Sequence, residues 1–172
     1  DLEGNHQFLF QNKLGEGEGL PDGFVESVEH GVLDQMKSGI LMGHAVIGLK
    51  VGLVSVSYNE LDSTEMAFKA ASSMARREAL MDGDSKLLEP IMAVEIVSPE
   101  EYMGDISGDI NRRRGLIVGL DDSGSNKKLK AQVPLSEMFG YSTHLRSRSQ
   151  GRATFTMEFK NYSEFPISSL NE

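Results

Sequence analysis

The sequence predicts an α+β protein made of two small domains. Its 172 residues, of which 39% are apolar, suffice for two modest cores. The segment Leu88-Glu89-Pro90 marks a boundary, because proline cannot continue a helix and keeps the preceding residue extended. After it, the hydrophobic pattern follows the order strand–helix–strand–strand–helix–strand. We therefore place the two domains at residues 1–87 and 88–172.

The first half begins with a strand, a helix and a second strand. Gln7–Gln11 is typical of a short strand, and the alternating glycines of residues 15–19 favour a loop. Pro21 suits the first turn of a helix that we expect Gly39 to terminate as a C-cap. The segment Ala45–Tyr58 is rich in β-branched residues and predicts a strand with one buried face.

A second helix follows this strand. Asp62 and Ser63 are both candidate N-caps, since either side chain can accept a hydrogen bond from a free backbone N–H group. Apolar residues then recur at helical spacing up to residue 80, and residues 81–85 end the helix. By their type and spacing, Met66, Phe68 and Met74 are predicted core residues.

The second half predicts a ferredoxin-like split βαβ sandwich, in which two helices cover one face of a four-stranded antiparallel sheet. Gly115 is expected to end the first helix, and Phe155 is predicted to lie in the core. The predicted elements are a strand at Ile91–Val97, a helix at Pro99–Arg114, strands at Leu116–Leu120 and Lys127–Val133, a helical or irregular segment at Ser136–Ser149, and a strand at Ala153–Phe159.

Composition excludes several classes of site. The chain has no cysteine, so disulfides, iron–sulfur clusters and thiolate zinc sites are ruled out. No two of its four histidines have metal-binding spacing, and no catalytic triad or paired-carboxylate motif is visible. We therefore expect no metal and no catalytic residue. No apolar run approaches the length of a membrane-spanning helix, so no membrane partner is expected.

Positive charge is concentrated in one part of an acidic chain. The net charge is −9, yet residues 112–152 contain nine basic and three acidic residues. Such a segment is either an anion-binding face or an ordinary solvated surface, and charge alone leaves both open.

Ordered sequence matches indicate a family. The matching segments are Ser57–Phe68, Leu88–Met92, Tyr102–Asp105, Asn111–Gly115, Val133–Thr143, Leu145–Ser147, Gly151–Arg152 and Thr156–Phe159. Together they resemble the fourth and fifth domains of elongation factor G, over about residues 20–165.

The resemblance implies a five-domain GTPase that moves tRNA and mRNA through the ribosome. It also implies that the first domain is an incomplete ribosomal-protein-like βαβ domain with a left-handed crossover, whose first strand lies upstream of Asp1. We therefore expect this chain, which does not begin with Met, to be a piece of a longer protein. Residues 1–20 are expected to be poorly ordered or rearranged, and the tail from Pro166 to be frayed.

A GTPase site is not expected within this chain. The phosphate-binding motif GxxxxGK[ST] does not occur, and the glycines of residues 15–19 are not followed by Lys-Ser or Lys-Thr. By resemblance, GTP and magnesium belong to N-terminal domains of the parent protein. The chain itself is expected to have no cofactor and no enzymatic activity.

The resemblance places Ser57, Tyr58 and Asn59 in a loop at the tip of the fourth domain, which enters the decoding site of the small subunit. The family usually has Gly-Ser-Tyr-His there, whereas this chain has Val56 and Asn59 at the first and last positions. Asn59 can form hydrogen bonds but cannot carry a charge. These departures keep open a specialised paralogue that acts in ribosome recycling.

Two groups of basic residues are candidates for contact with ribosomal RNA. In the family, the fifth domain touches large-subunit rRNA at the stalk base and the sarcin–ricin loop. Guanidinium groups suit phosphate oxygens, although cations at a helix end can also serve the helix dipole alone. We expect the two groups to share one surface. The candidates are Arg112, Arg113 and Arg114 at a helix end, and His144, Arg146, Arg148 and Arg152 in the segment before the last strand.

The expected partners are therefore the ribosome with its tRNA and mRNA, and the expected protein is a cytoplasmic monomer. A third hypothesis, from another class, is a small-ligand enzyme built on a ferredoxin-like sheet.

Overall fold

The computed structural model of the chain describes residues 8–15 and 20–166. The chain divides into two units, Asp1–Lys86 and Leu87–Glu172. The expectation for the tail beyond Pro166 lies outside the described residues, as does most of that for residues 1–20. Within the described ranges, no helix is long and apolar enough to cross a membrane.

The first unit contains two short strands and two helices. Strand β1 (Leu9–Asn12) pairs in parallel with β2 (Lys50–Leu53), with Phe10 opposite Val51. Helix α1 (Asp22–Met36) lies between them in the chain, and α2 (Glu65–Asp82) follows β2. Parallel strands need such a crossover connection, so the predicted βαβ arrangement is present. The left hand of the crossover stays a prediction.

Helices α1 and α2 approach each other closely at Gly31. A Cβ atom at this position would overlap the backbone oxygen of Lys69 and the hydroxyl of Ser72, both on α2. Val28 and Val32, on the same part of α1, are buried. Gly31 is therefore required by the space between the helices rather than by its backbone angles.

Two predicted boundaries in the first unit are wrong. The strand predicted at Ala45–Tyr58 is only four residues long, because its partner β1 supplies a ladder of only four residues. Gly39 is not a C-cap, since α1 ends at Met36 with Lys37 in right-handed helical conformation. The N–H of Gly39 instead donates to the carbonyl of His44 at 2.7 Å, closing a loop.

The cap and one face of α2 also differ from prediction. Thr64 caps the helix, because its hydroxyl accepts from the N–H of Ala67 at 3.2 Å. Met66 and Met74 are exposed, so their prediction as core residues is wrong. At 100° per residue, Met74 lies on the side of α2 turned away from Ser72 and hence from α1. Phe68 is half-buried.

The second unit has the predicted ferredoxin-like topology. Its four strands are antiparallel in the order β4-β5-β3-β6. In chain order the elements are β3 (Leu88–Ser98), α3 (Glu100–Arg112), β4 (Leu116–Ser123), β5 (Asn126–Pro134), a 3-10 turn (Leu135–Met138), α4 (Tyr141–Arg148) and β6 (Thr154–Glu164).

The core of this unit forms between the sheet and the helices. Buried side chains alternate along β3 and β5, as expected for strands with one covered face. Phe155 packs against this core, as predicted. The buried residues of the core are Met92, Val94, Ile96, Met103, Ile106, Ile110, Leu129, Ala131, Val133, Met138, Tyr141 and Leu145.

Pro90 lies inside β3 rather than before it. It pairs with Tyr162 of β6, whereas the pairing of β3 with β5 begins only at Ile91. Proline has no N–H to donate, so it fits a position where the strand has a neighbour on one side only. The extended backbone predicted around Pro90 is therefore the start of a strand.

Candidate nucleic-acid interface

A buried carboxylate, Asp109, organises the basic residues at the end of α3. Its Oδ2 accepts a hydrogen bond from Arg113 Nε at 3.0 Å and lies 3.1 Å from His144 Nδ1. Its Oδ1 lies 3.8 Å from Arg112 Nη2 and 4.0 Å from Arg148 Nε. Two helices, α3 and α4, thus place three arginines and one histidine around a single acid.

Asp109 remains ionised in this setting. Burial raises the pKa of its carboxyl, but hydrogen bonds from Arg113 and His144 and their charges outweigh burial, so the pKa is lowered overall. The group therefore carries one negative charge among four basic side chains. The surroundings of Asp109 are positive overall.

The side chain of Arg113 is held by contacts within the second unit. Its side chain is 17% exposed. Besides Asp109, it donates to the backbone oxygen of Glu137, and its guanidinium lies 4.9 Å from the centre of the Tyr141 ring. It connects α3 to the segment that leads into α4, and little of it faces solvent.

Arg114 ends the helix in a left-handed conformation, with φ of +56°. Its N–H donates to the carbonyl of Asn111 at 3.2 Å and that of Gly115 donates to Ile110 at 2.9 Å, which together form a Schellman motif. The positive φ that is usual in this motif belongs to Arg114 and not to Gly115. A Cβ at Gly115 would instead crowd Ile110 and Val133.

The side chain of Arg114 is held by two carboxylates. Its Nη1 and Nη2 donate to the Oε1 and Oε2 atoms of Glu89 at 3.1 and 2.6 Å, and its Nε donates to Glu137 at 3.2 Å. The hydrogen bonds to Glu89 are the main reason that the pKa of Arg114 is raised. Like Arg113, it joins parts of the fold.

Two other arginines, Arg112 and Arg146, face solvent more freely, and a third, Arg148, is less exposed than they are. Arg112 is 64% exposed, and Arg146 is exposed and makes no ion pair with the described residues. Arg148 is half-buried, with its Nε 3.5 Å from His144 Nε2. If His144 donates from Nδ1 to Asp109, its Nε2 is free to accept from Arg148, while Arg113 Nη2, 3.3 Å from Nδ1, then makes no hydrogen bond to it.

Arg152 lies apart from this group. It pairs with Glu101 in the first turn of α3, and its guanidinium lies 5.7 Å from the centre of the Tyr102 ring. Glu101 and Asp109 are eight residues apart on α3, or about 12 Å along a helix. The structure thus brings Arg112, Arg113, His144 and Arg148 together but does not bring Arg152 to them.

In the first unit, Ser57, Tyr58 and Asn59 occupy an irregular segment before α2. The Tyr58 ring packs edge-on against Phe24 at 5.3 Å. The Asn59 side chain accepts from the N–H of Leu61 at 3.0 Å, so its oxygen is used within the turn.

Sequence reasoning missed two residues of these sites. Leu61 is 93% exposed at the turn that Asn59 closes, an unusual position for a large apolar side chain. Asp109 was also missed, although its place three and four residues before Arg112 and Arg113 on a helix could have indicated it. The described residues contain no group of three or more acidic or histidine side chains able to hold a metal ion.

Comparison with known proteins agrees with the two-unit division. Residues 1–84 match the family model "Elongation factor G, domain IV", and residues 86–172 match "Elongation factor G C-terminus". A crystal structure of a protein from Thermus thermophilus is similar, with a TM-score of 0.87 and 32% sequence identity. The match covers 97% of this chain and 25% of that protein, so the chain spans about a quarter of its length.

Proposed function

The chain belongs to the elongation factor G family, and we propose that it is the ribosome-binding C-terminal part of a factor that moves tRNA and mRNA. The parent protein would hydrolyse GTP in domains outside this chain. Here the task is binding: the first unit enters the decoding site, and the second anchors to large-subunit rRNA at the stalk base and sarcin–ricin loop.

The observation that carries this proposal is the gathering of basic side chains around Asp109. Positive charge held on one surface attracts the RNA backbone. We assign phosphate contact to Arg112, whose side chain is 64% exposed beside Asp109, to the half-buried Arg148, and to the exposed Arg146 of the same helix. Arg113 and Arg114 are assigned the task of positioning them, since their own donors are used within the fold.

The test measures the affinity of this chain for an rRNA fragment carrying the stalk base, at several salt concentrations. Arg112→Gln is expected to weaken binding and to lower the slope of log K against log salt by about 1, for one lost phosphate contact. Lys127→Gln is the matched control. It removes the same charge at the opposite end of the sheet, where Lys127 pairs with Ser98.

Binding that does not weaken with salt would contradict anchoring through phosphates. An equal loss of slope in Lys127→Gln would show diffuse attraction rather than the proposed surface. A single module separated from its partner domains binds weakly, so the assay needs high protein concentrations.

A second candidate role is ribosome recycling by a specialised member of the family. The observation that favours it is Asn59, whose side chain is used by the N–H of Leu61 and carries no charge. The translocation rate of the full-length parent protein separates the two roles. A rate typical of a translocase would rule out specialisation. Action in the cytoplasm as a monomer belongs to the same proposal.

A further inference from the structure

Arg76 of α2 is the one buried charged residue in the described part of the first unit, with 7% of its surface exposed. It lies between two cavities of about 400 and 550 Å³. The smaller cavity is lined mainly by apolar residues of the strands and helices. The larger one lies beside the C-terminal parts of α1 and α2, and its lining combines polar side chains with those of Ile40 and Met81.

The guanidinium of Arg76 lacks a partner. Its Nε has no hydrogen-bond acceptor, and no carboxylate of the described residues lies within 4.0 Å of it. The arginines of the second unit differ: Arg113 and Arg114, also withdrawn from solvent, each contact a carboxylate at 3.2 Å or less. Of these three arginines withdrawn from solvent, Arg76 is therefore the one without a carboxylate partner.

An unpaired buried charge is costly, because the group loses hydration without gaining a counter-charge. Burial lowers the pKa of Arg76, yet a guanidinium stays protonated at any physiological pH. A bound anion would offset this cost. The position of Arg76 beside an open cavity allows this.

The larger cavity has the side chains of an anion site. Gln35, Ser38, Arg76 and Arg77 contribute N–H or O–H donors, and no Asp or Glu lines it. Arg77 is exposed and makes no ion pair with the described residues. This places two guanidinium groups, which bind oxyanions through paired N–H donors, at one cavity.

The C-terminal ends of two helices oppose an anion here, since they carry partial negative charge. That opposition is reduced at α1. The carbonyl of Gln35 accepts the N–H of Ser38 at 3.3 Å, and the carbonyl of Met36 accepts the N–H of Val46 at 2.9 Å. Two full positive charges outweigh the remaining fractional dipole.

We propose that the cavity bounded by Gln35, Ser38, Arg76 and Arg77 binds a small oxyanion of the phosphate class, with Arg76 as its main donor. Its volume of about 550 Å³ admits either inorganic phosphate or a small phosphate monoester. The site lies in the first unit and is independent of the RNA surface around Asp109.

The experiment titrates this chain with inorganic phosphate, or with glycerol phosphate, against sodium chloride at equal ionic strength. The first readout is the unfolding temperature. The second is the ¹H–¹⁵N resonance of Arg76 Nε–H, which reports on the site directly. A saturable rise in unfolding temperature, with a shift of this resonance, is the expected result. A response to both ligands indicates a site open to esters, and a response to phosphate alone indicates the free ion.

Arg76→Met tests the assignment, because methionine keeps the apolar bulk and removes every donor. Affinity for phosphate should fall at least about tenfold, the effect of losing one charge-assisted hydrogen bond. Lys37→Gln is the control. It removes one positive charge near the end of α1 from a residue that does not line the cavity, and it should leave binding unchanged.

No response to either ligand, or an equal response in Arg76→Met and the unaltered chain, would overturn the proposal. If Arg76→Met does not fold, Arg77→Met and the Arg76 Nε–H resonance of the unaltered chain decide. A resonance that stays in place at saturating phosphate would then refute the site.

Discussion

Each unit of the described chain contains one buried side-chain polar atom without a hydrogen-bond partner, and the two differ in kind. In the first unit it is the Nε of Arg76, and in the second it is the hydroxyl of Tyr141. The first belongs to a permanent cation beside cavities, and the second to a neutral group inside a packed core. An unpaired neutral group costs about 1–3 kcal/mol on burial, and an unpaired charge costs more.

The surroundings of the two atoms explain this contrast. Strands of 8 to 11 residues and two helices enclose Tyr141, and its ring meets Phe155 edge-on at 5.0 Å. The first unit has two strands of four residues, and of its described apolar side chains only Val28 and Val32 are buried. Dense packing leaves no room for a ligand, while sparse packing leaves cavities that a ligand can fill.

The largest expected effect concerns charge pairing in the second unit. Asp109→Asn should lower the free energy of unfolding by about 3 kcal/mol, because Arg113 loses its buried counter-charge and His144 loses the carboxylate beside its Nδ1. Urea unfolding at pH 7 measures this. Asp105→Asn, an exposed acid one turn earlier on α3, is the control and should change stability by less than about 0.5 kcal/mol.

This effect should depend on pH in a defined direction. Because the pKa of Asp109 is lowered on folding, its stabilising contribution is present above the unfolded-state pKa and is lost as pH falls through the folded-state pKa. The difference between Asp109→Asn and the unaltered chain should therefore shrink below about pH 4. A constant difference down to pH 2 would contradict the assigned ion pairs.

A glycine from each unit gives an intermediate effect of opposite sign. Gly31→Ala should destabilise the first unit by about 1–3 kcal/mol, because the new methyl group meets Lys69 and Ser72 on α2. Gly104→Ala should stabilise the second unit by up to about 1 kcal/mol, because α3 has open space there and alanine favours helix. Hydrogen exchange resolved by residue assigns each change to its unit. A neutral or stabilising effect of Gly31→Ala would refute the close helix contact.

The smallest effect at neutral pH concerns Tyr141. Tyr141→Phe should change stability by less than about 1 kcal/mol at pH 7, since the hydroxyl has no partner to lose. Burial raises the pKa of Tyr141, so above about pH 10 the unfolded chain loses this proton while the folded chain keeps it. The unaltered chain should lose stability faster than Tyr141→Phe on alkaline titration. Parallel alkaline curves would indicate an unseen partner for the hydroxyl.

The sequence predicted the second unit well because its elements are long and regularly patterned. The predicted strand Ile91–Val97 lies within β3, where Met92, Val94 and Ile96 alternate on the covered face, and the predicted order of elements gave the topology. Only the element boundaries differ from the prediction. Pro90, for example, lies inside β3 at a position where the strand has a neighbour on one side only.

The first unit was predicted less well, for physical reasons. A strand needs a partner to exist, and β1 offers partners to only four residues of the β-branched segment Ala45–Tyr58. Met66 and Met74 have the residue type of a core but lie on the exposed side of α2. In a unit with few layers, apolar spacing does not say which side of a helix is covered.

The sequence indicated candidate basic residues, but it did not indicate how the fold holds each of them. The sequence identified the arginines, yet it could not distinguish Arg114, held by Glu89, from Arg112, which faces solvent. Glu89 is 25 residues away in sequence, so the pairing depends on the strand register. A partner so distant in sequence cannot be predicted from a local sequence pattern.

The carboxylate of Asp109 also affects the entropy cost of the proposed binding to RNA. A free arginine side chain loses about 2 kcal/mol of rotamer entropy when it is immobilised. Arg113, and to a lesser degree Arg112 and Arg148, lose part of this freedom when the chain folds. Under the proposed contact with RNA, a phosphate would meet cations that are already partly oriented, and less of its binding energy would be spent on ordering them.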